Sequence, residues 1–183
     1  SQVAEVVCTI FEEEKKHPQP IDKIHLTGGA ILHPIHGLSE VDFYLQYIHT
    51  IRENLEKVGF YPGIEICANL MPCDKTDQRR FKEAGATVFM PNKEVWDERL
   101  YHLICPGKGQ AVDHKTFVKR LIDAVDVFGW GYVCTSVVGG VEMSQPYGFK
   151  TVAEAVKSTS EGFDFLMAHG IVPKMTPWML EPG

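Results

Sequence analysis

Four short stretches of this chain hold side chains or bare backbone able to grip a polar ligand. Thr27-Gly28-Gly29 offers peptide groups with no Cβ in the way, and Asn69 follows an apolar run with a side-chain amide. Asn92 and Glu94 set an amide and a carboxylate two positions apart, and Gly139-Gly140 is followed at once by a second carboxylate, Glu142. Such groups bind hydroxyl and ammonium groups through hydrogen bonds and charge. Asn92 with Glu94, a donor and acceptor beside a pure acceptor, would suit the vicinal diol of a ribose. The same pair also reads as a helix N-cap and a first-turn acid favoured by the helix dipole. Gly28-Gly29 also reads as a plain strand-to-loop turn, and local sequence leaves both alternatives open.

Other chemistries lack their residues. His33-x-x-His36 has no carboxylate or cysteine at ligand spacing, and Cys67-x5-Cys73 fits no common zinc or iron–sulfur pattern, so no metal ligand is assigned. There is no G-x-S-x-G elbow, and no side chain is assigned a catalytic role.

The elements that must position these groups follow one another regularly. Residues 2–16 have helical apolar spacing and stop at His17-Pro18-Gln19-Pro20. A strand is expected over 23–27, buried at Lys23 to Leu26. Ser39 and Asp42 mark the start of a long amphipathic helix reaching Lys57, ended by Gly59. Strand 64–68, a helix from Asp74 to Ala84 closed by Gly85, and strand 86–90 come next. Residues 94–103 read as helix, 105–113 as loop, 114–128 as helix, 132–138 as strand, 151–169 as helix and 171–175 as strand. Apolar strands alternating with Gly-ended helices predict a parallel α/β fold.

Five strands are too few for a closed eight-stranded barrel, leaving a partial barrel or a doubly wound sheet. No G-x-G-x-x-G opens a helix and no P-loop lysine is present, which favours the partial barrel. In a barrel the strand exits gather at one end, where ligands bind. The 183 residues fit one domain spanning 1–183, and both ends read as cut from a longer polypeptide.

A net charge of −6 argues against nucleic acid as an obligatory partner. No apolar run is long enough for a membrane span. The five scattered cysteines, Cys8, Cys67, Cys73, Cys105 and Cys134, read as reduced thiols of a cytoplasmic protein.

Taken together the exits resemble those of the radical S-adenosylmethionine enzymes, in order and over nearly the whole chain. Leu26-Thr27-Gly28-Gly29-Ala30 resembles the Gly-Gly motif of their second strand, there followed by Glu-Pro and here by Ala30-Ile31. Lys82-Glu83-Ala84-Gly85-Ala86 is similar to the turn before their fourth strand. Met90-Pro91-Asn92-Lys93-Glu94 is similar to the Asn-x-Asp/Glu ribose motif of the biotin-synthase-like branch. Val137-Val138-Gly139-Gly140-Val141-Glu142 resembles the strand that lines the adenine, and the run from Pro177 to Gly183 resembles the Pro-rich exit of the last strand.

The resemblance implies a partial parallel (β/α)6 TIM-like barrel, here truncated with its first strand missing. It implies S-adenosylmethionine and a [4Fe–4S] cluster that together generate a 5′-deoxyadenosyl radical for hydrogen abstraction from a small-molecule substrate, with a reductant protein as partner. By the same resemblance Gly28 and Gly29 face the methionine amino group, Asn92 and Glu94 hold the ribose, Val137, Val138 and Glu142 lie near the adenine, and Arg120 pairs the methionine carboxylate. Asn69 joins this set as a strand-exit amide.

The Cys-x3-Cys-x2-Cys cluster loop is not in the chain, so the cluster ligands are expected on a segment outside it, without which the piece would be inactive. Two alternatives stand beside this reading. One is a non-redox α/β-barrel enzyme of aldolase-like or cobalamin-linked type. The other is a cluster-less barrel serving as a binding module.

Overall fold

The computed structural model describes residues 1–17 and 21–178. The Pro18-Gln19-Pro20 helix stop and residues 179–183 of the closing run therefore lie outside the described residues. The chain divides into two compact units, Ser1–Phe89 and Met90–Gly183.

The first unit runs α1 (Gln2–Glu14), β1 (Lys23–Thr27), α2 (Glu40–Val58), β2 (Glu65–Asn69), α3 (Lys75–Ala84), β3 (Val88–Phe89). Its helix ends are set locally. The Ser39 hydroxyl accepts from Asp42 N at the start of α2, and the Asp74 carboxylate accepts from Thr76 N and Asp77 N at the start of α3. Gly59 and Gly85 close these helices in the left-handed region, at φ 81° and 115°.

β1 pairs β2 and β2 pairs β3, all parallel, with Lys23 opposite Glu65 and Thr27 opposite Asn69. Ile48, Leu55, Ile66, Ala68, Phe81 and Phe89 are fully buried between sheet and helices. β1 departs from the expected buried strand: only Ile24 and Leu26 are half-buried, while Lys23, His25 and Thr27 are exposed. β1 stands at the end of the strand order beside β2, and its side chains alternate between a half-buried and an open face.

The second unit holds α4 (Glu98–Ile104), α5 (Pro106–Ala111), α6 (His114–Phe128), β4 (Val133–Gly139), a 3-10 turn (Val141–Met143), α7 (Val152–Ala168) and β5 (Ile171–Pro177). β4 and β5 are parallel over seven registered pairs from Val133–Ile171 to Gly139–Pro177. Leu100, Tyr101, Phe117, Leu121, Val133, Leu166 and Ile171 form the core. α7 carries a capping box, Thr151 and Glu154 satisfying each other's backbone.

Two local expectations are corrected here. The helix expected from residue 94 starts at Glu98, because Asp97 caps it through Leu100 N and the preceding residues bond to β4. The loop expected over 105–113 contains α5, which opens with Pro106 at a first-turn position where its missing N–H costs nothing. The fold class is α/β with five parallel-paired strands flanked by helices, consistent with a partial TIM-like barrel. Among the described residues no helix is long and apolar enough to cross a membrane.

The Phe81 ring is fully buried on α3 with its centroid 6.3 Å from that of Phe89. Phe81→Ala is expected to lower stability by about 3–5 kcal/mol. Urea unfolding followed by circular dichroism measures this, and a loss under about 1 kcal/mol would show that this ring is not central to the core.

Candidate functional site

The second unit begins with a segment whose backbone is stitched to β4. The fully buried Thr135 hydroxyl donates to Pro91 O at 2.8 Å and accepts from Lys93 N at 3.1 Å. One residue further, Glu94 N donates to Ser136 O at 2.9 Å and Glu94 O accepts from Val138 N at 2.7 Å. Glu94 therefore forms a one-residue parallel bridge opposite Val137, and does so at φ 69°. A non-glycine residue in the left-handed region is uncommon and signals that the surroundings hold it there.

These bonds decide where each side chain goes. Lys93 turns inward and is fully buried. Its Nζ lies 2.9 Å from the centroid of the Tyr101 ring and 5.0 Å from that of Phe117, with no hydrogen-bond partner among the described residues. Burial pulls its pKa down to about 6, with the nearby Lys108 charge pulling the same way, so the amine is mainly neutral at pH 7. The same apolar surroundings push the Tyr101 hydroxyl up and hold His114 down at about 4, burial first and then the nearby Lys93. Tyr101 donates its hydroxyl proton to Val112 O at 2.9 Å.

Asn92 and Glu94 lie on the half-buried side. Lys108, projecting from α5, donates to Asn92 O at 3.1 Å and forms an ion pair with Glu94 Oε1. Asn92 Oδ1 is buried and accepts no hydrogen bond from the described residues, and Glu94 Oε2 takes none either. A buried acceptor left unpaired costs about 1–3 kcal/mol, so a donor is wanted there.

Trp96 anchors the far end of the segment. Its ring lies 5.6 Å from Phe165 and 5.7 Å from His114. A Cβ on Gly162 of α7 would stand only 2.4 Å from the indole.

At the β4 exit, Gly140 takes φ 100° and the 3-10 turn follows. Glu142 is buried and spends its carboxylate on structure: Oε2 accepts from Gly140 N at 2.8 Å and Oε1 from the Thr159 hydroxyl at 3.3 Å. Gly139, Gly140, Glu142, Val156, Phe163 and Met175 line a predominantly apolar cavity of about 390 Å³.

Within this unit the structure thus brings Asn92, Glu94, Val137 and Val138 together, with Glu142 at the turn that follows. Arg120 is half-buried on α6. Gly28, Gly29 and Asn69 belong to the first unit. There Asn69 Nδ2 donates to Thr27 Oγ1 at 3.4 Å, Gly29 takes φ 72° with open space where a Cβ would be, and Gly28 lies against the Tyr44 hydroxyl. Among the described residues no group of three or more His, Cys, Asp and Glu side chains could hold a metal ion.

Sequence reasoning missed Lys93, Lys108 and Thr135. Lys108 sits in Pro106-Gly107-Lys108-Gly109, whose composition reads as loop; Pro106 at a helix start was the available signal. Nothing local marks Lys93 as buried, since its neighbours Asn92 and Glu94 are polar.

No family profile matches the chain, and no curated protein matches it in sequence. Among solved structures, the crystal structure of HydG, a maturase of the [FeFe]-hydrogenase, is similar over 99% of this chain at a TM-score of 0.61 and 14% identity. The chain spans 36% of the length of that HydG chain. The likeness shows the fold alone, an α/β core of parallel strands flanked by helices. The biotin-synthase-like branch stays with the motif resemblance alone, since the similarity is to HydG.

Lys93 is charged when unfolded, near pKa 10.5, and neutral when folded down to about 6. The unfolded state thus binds the extra proton between these values, so this residue makes stability climb with pH by up to about 1.4 kcal/mol per unit. Lys93→Met is expected to be more stable than the wild type at pH 7, with the difference vanishing near pH 10.5. Chemical denaturation across that range measures it, and parallel pH profiles would contradict a neutral buried amine. Gly162→Ala should lower the unfolding midpoint although alanine is the better helix former by about 1 kcal/mol, because the indole of Trp96 must move. A raised midpoint would show that residues 95–97 yield freely.

Proposed function

We propose that this chain is the core of a radical S-adenosylmethionine enzyme and that its second unit holds the adenosyl part of that molecule. The supporting observation is the pair of acceptors beside β4. Asn92 Oδ1 is buried without a donor, and Glu94 presents one oxygen that takes no bond among the described residues. One ammonium, Lys108, ties both residues into place. Two adjacent acceptors fit the two hydroxyl donors of a ribose. The cavity of about 390 Å³ at the β4 exit has the size and apolar lining for an adenine. Gly139 lines it with bare backbone, where a Cβ would stand 2.7 Å from Met175 Sδ.

The chain's own residues bind and orient. Asn92 and Glu94 accept from the ribose, and Val137 and Val138 line the approach to the base. Glu142 holds the turn through Gly140 N and Thr159, which fixes the cavity wall. When bound with a reduced [4Fe–4S] cluster, S-adenosylmethionine supplies a 5′-deoxyadenosyl radical for hydrogen abstraction. The described residues do not fit such a cluster, whose ligands this reading assigns to a segment outside the chain. A small-molecule substrate and a reductant protein complete the proposal.

Lys93 is the one feature that favours a non-redox, aldolase-like reading, since a neutral amine after a strand is what Schiff-base chemistry needs. Its Nζ is sealed beneath Tyr101 and Phe117 with no solvent exposure, which speaks against it.

The full-length gene product, purified without oxygen with an intact cluster, is expected to release 5′-deoxyadenosine from S-adenosylmethionine and dithionite. None formed would remove the proposal. Glu94→Ala and Asn92→Ala should each weaken S-adenosylmethionine binding about 10- to 100-fold by equilibrium dialysis, the worth of a buried hydrogen bond to a charged or orphaned partner.

A further inference from the structure

We propose that Lys108 is the positioning residue of the ribose site, holding the Glu94 carboxylate so that one oxygen is spent and the other faces a ligand hydroxyl. The inference rests on the adenosyl reading given above and adds to it a residue that the motif resemblance does not include.

Glu94 has its backbone fixed by two hydrogen bonds to β4, at 2.9 and 2.7 Å, but these do not fix its side-chain torsions. A glutamate side chain left to itself samples many rotamers, and restraining it on ligand binding has an entropic cost. Lys108 removes that freedom in advance. Its Nζ is shared between Glu94 Oε1 and the backbone carbonyl of Asn92, so the ammonium is itself located by a rigid acceptor two residues away. Both side chains of the pair are about three-quarters buried, at 22% and 25% exposure, where an ion pair is screened less than at the surface.

α5 carries this group. It is a six-residue helix that starts on Pro106 and lies with Gly109 against His102, where a Cβ would be 2.7 Å from Nδ1. Gly109 therefore lets α5 pack close to α4, bringing Lys108 to residues 92–94. The other lysine of the segment cannot substitute, because Lys93 Nζ is turned to the opposite side under Tyr101 and Phe117.

An ammonium has three N–H donors in a compact head, whereas a guanidinium is a planar fork. Here two of those donors have defined acceptors, Glu94 Oε1 and Asn92 O. Arginine keeps the charge but changes the reach, so Lys108→Arg separates charge from position.

The test compares wild type, Lys108→Met, Lys108→Arg and Glu94→Gln in the full-length holoenzyme, using S-adenosylhomocysteine and its 2′-deoxy and 3′-deoxy analogues in equilibrium dialysis. Wild type is expected to prefer the intact ribose over at least one deoxy analogue by about 10-fold or more. Lys108→Met should lose most of that preference, binding the intact ligand about 10-fold more weakly while its affinity for the discriminated analogue changes little. Lys108→Arg should recover part of the preference.

A loss of affinity equal for the intact and deoxy ligands in Lys108→Met would mean a general structural role and overturn the inference. So would unchanged discrimination. Unfolding midpoints of the variants show whether a loss reflects misfolding, and in that case Lys108→Arg carries the comparison: full discrimination with a displaced charge also overturns it. If wild type itself binds none of the three ligands, the adenosyl reading fails. If wild type discriminates and Glu94→Gln does not, while Lys108→Met behaves as wild type, the present inference alone fails.

Discussion

The second unit depends on one constraint: the backbone that follows Phe89 is buried beside β4 and must have its polar groups paired. Pro91 brings no N–H, so its carbonyl alone needs a partner, and Thr135 supplies one from the strand. The same hydroxyl accepts from Lys93 N, so one threonine satisfies two main-chain groups. Glu94 then borrows a single rung of the strand ladder from Ser136 and Val138. With four hydrogen bonds over four residues the segment has little freedom, and the left-handed φ of Glu94 is held as part of the arrangement.

Two lysines on either side of α4 show how environment divides a residue type. Lys93 and Lys108 are both close to Glu94 in the fold, yet Lys93 is packed against aromatic rings with no hydrogen bond among the described residues and loses its charge, while Lys108 meets a carboxylate and a carbonyl. Desolvation without compensation disfavours the ammonium far more than two ring faces favour it. The neutral form of Lys93 also removes a like charge from beside the Lys108–Glu94 pair.

The two carboxylates of the candidate site differ in the same manner. Glu142 has both oxygens engaged with Gly140 N and the Thr159 hydroxyl, which makes it a brace for the turn. Glu94 keeps an oxygen in reserve among the described residues. Their motif resemblance treats them as two contacts of one ligand; their hydrogen bonds divide them into a wall and a contact.

The strand–helix alternation, the caps at Ser39 and Asp74, and the stops at Gly59 and Gly85 were legible in the chain because each rests on forces acting within a few residues: apolar periodicity, side-chain oxygens near bare N–H groups, and backbone freedom at glycine. The parallel α/β class follows from that alternation. The position of Asn92 and Glu94 just after a strand was legible for the same reason. What Lys93 and Lys108 do was not, since burial of one and pairing of the other come from Tyr101, Phe117 and α5, residues that lie close only after packing. The helical state of Pro106–Ala111 and the open face of β1 belong to the same group, because short helices and strand faces take their stability from neighbours outside the segment.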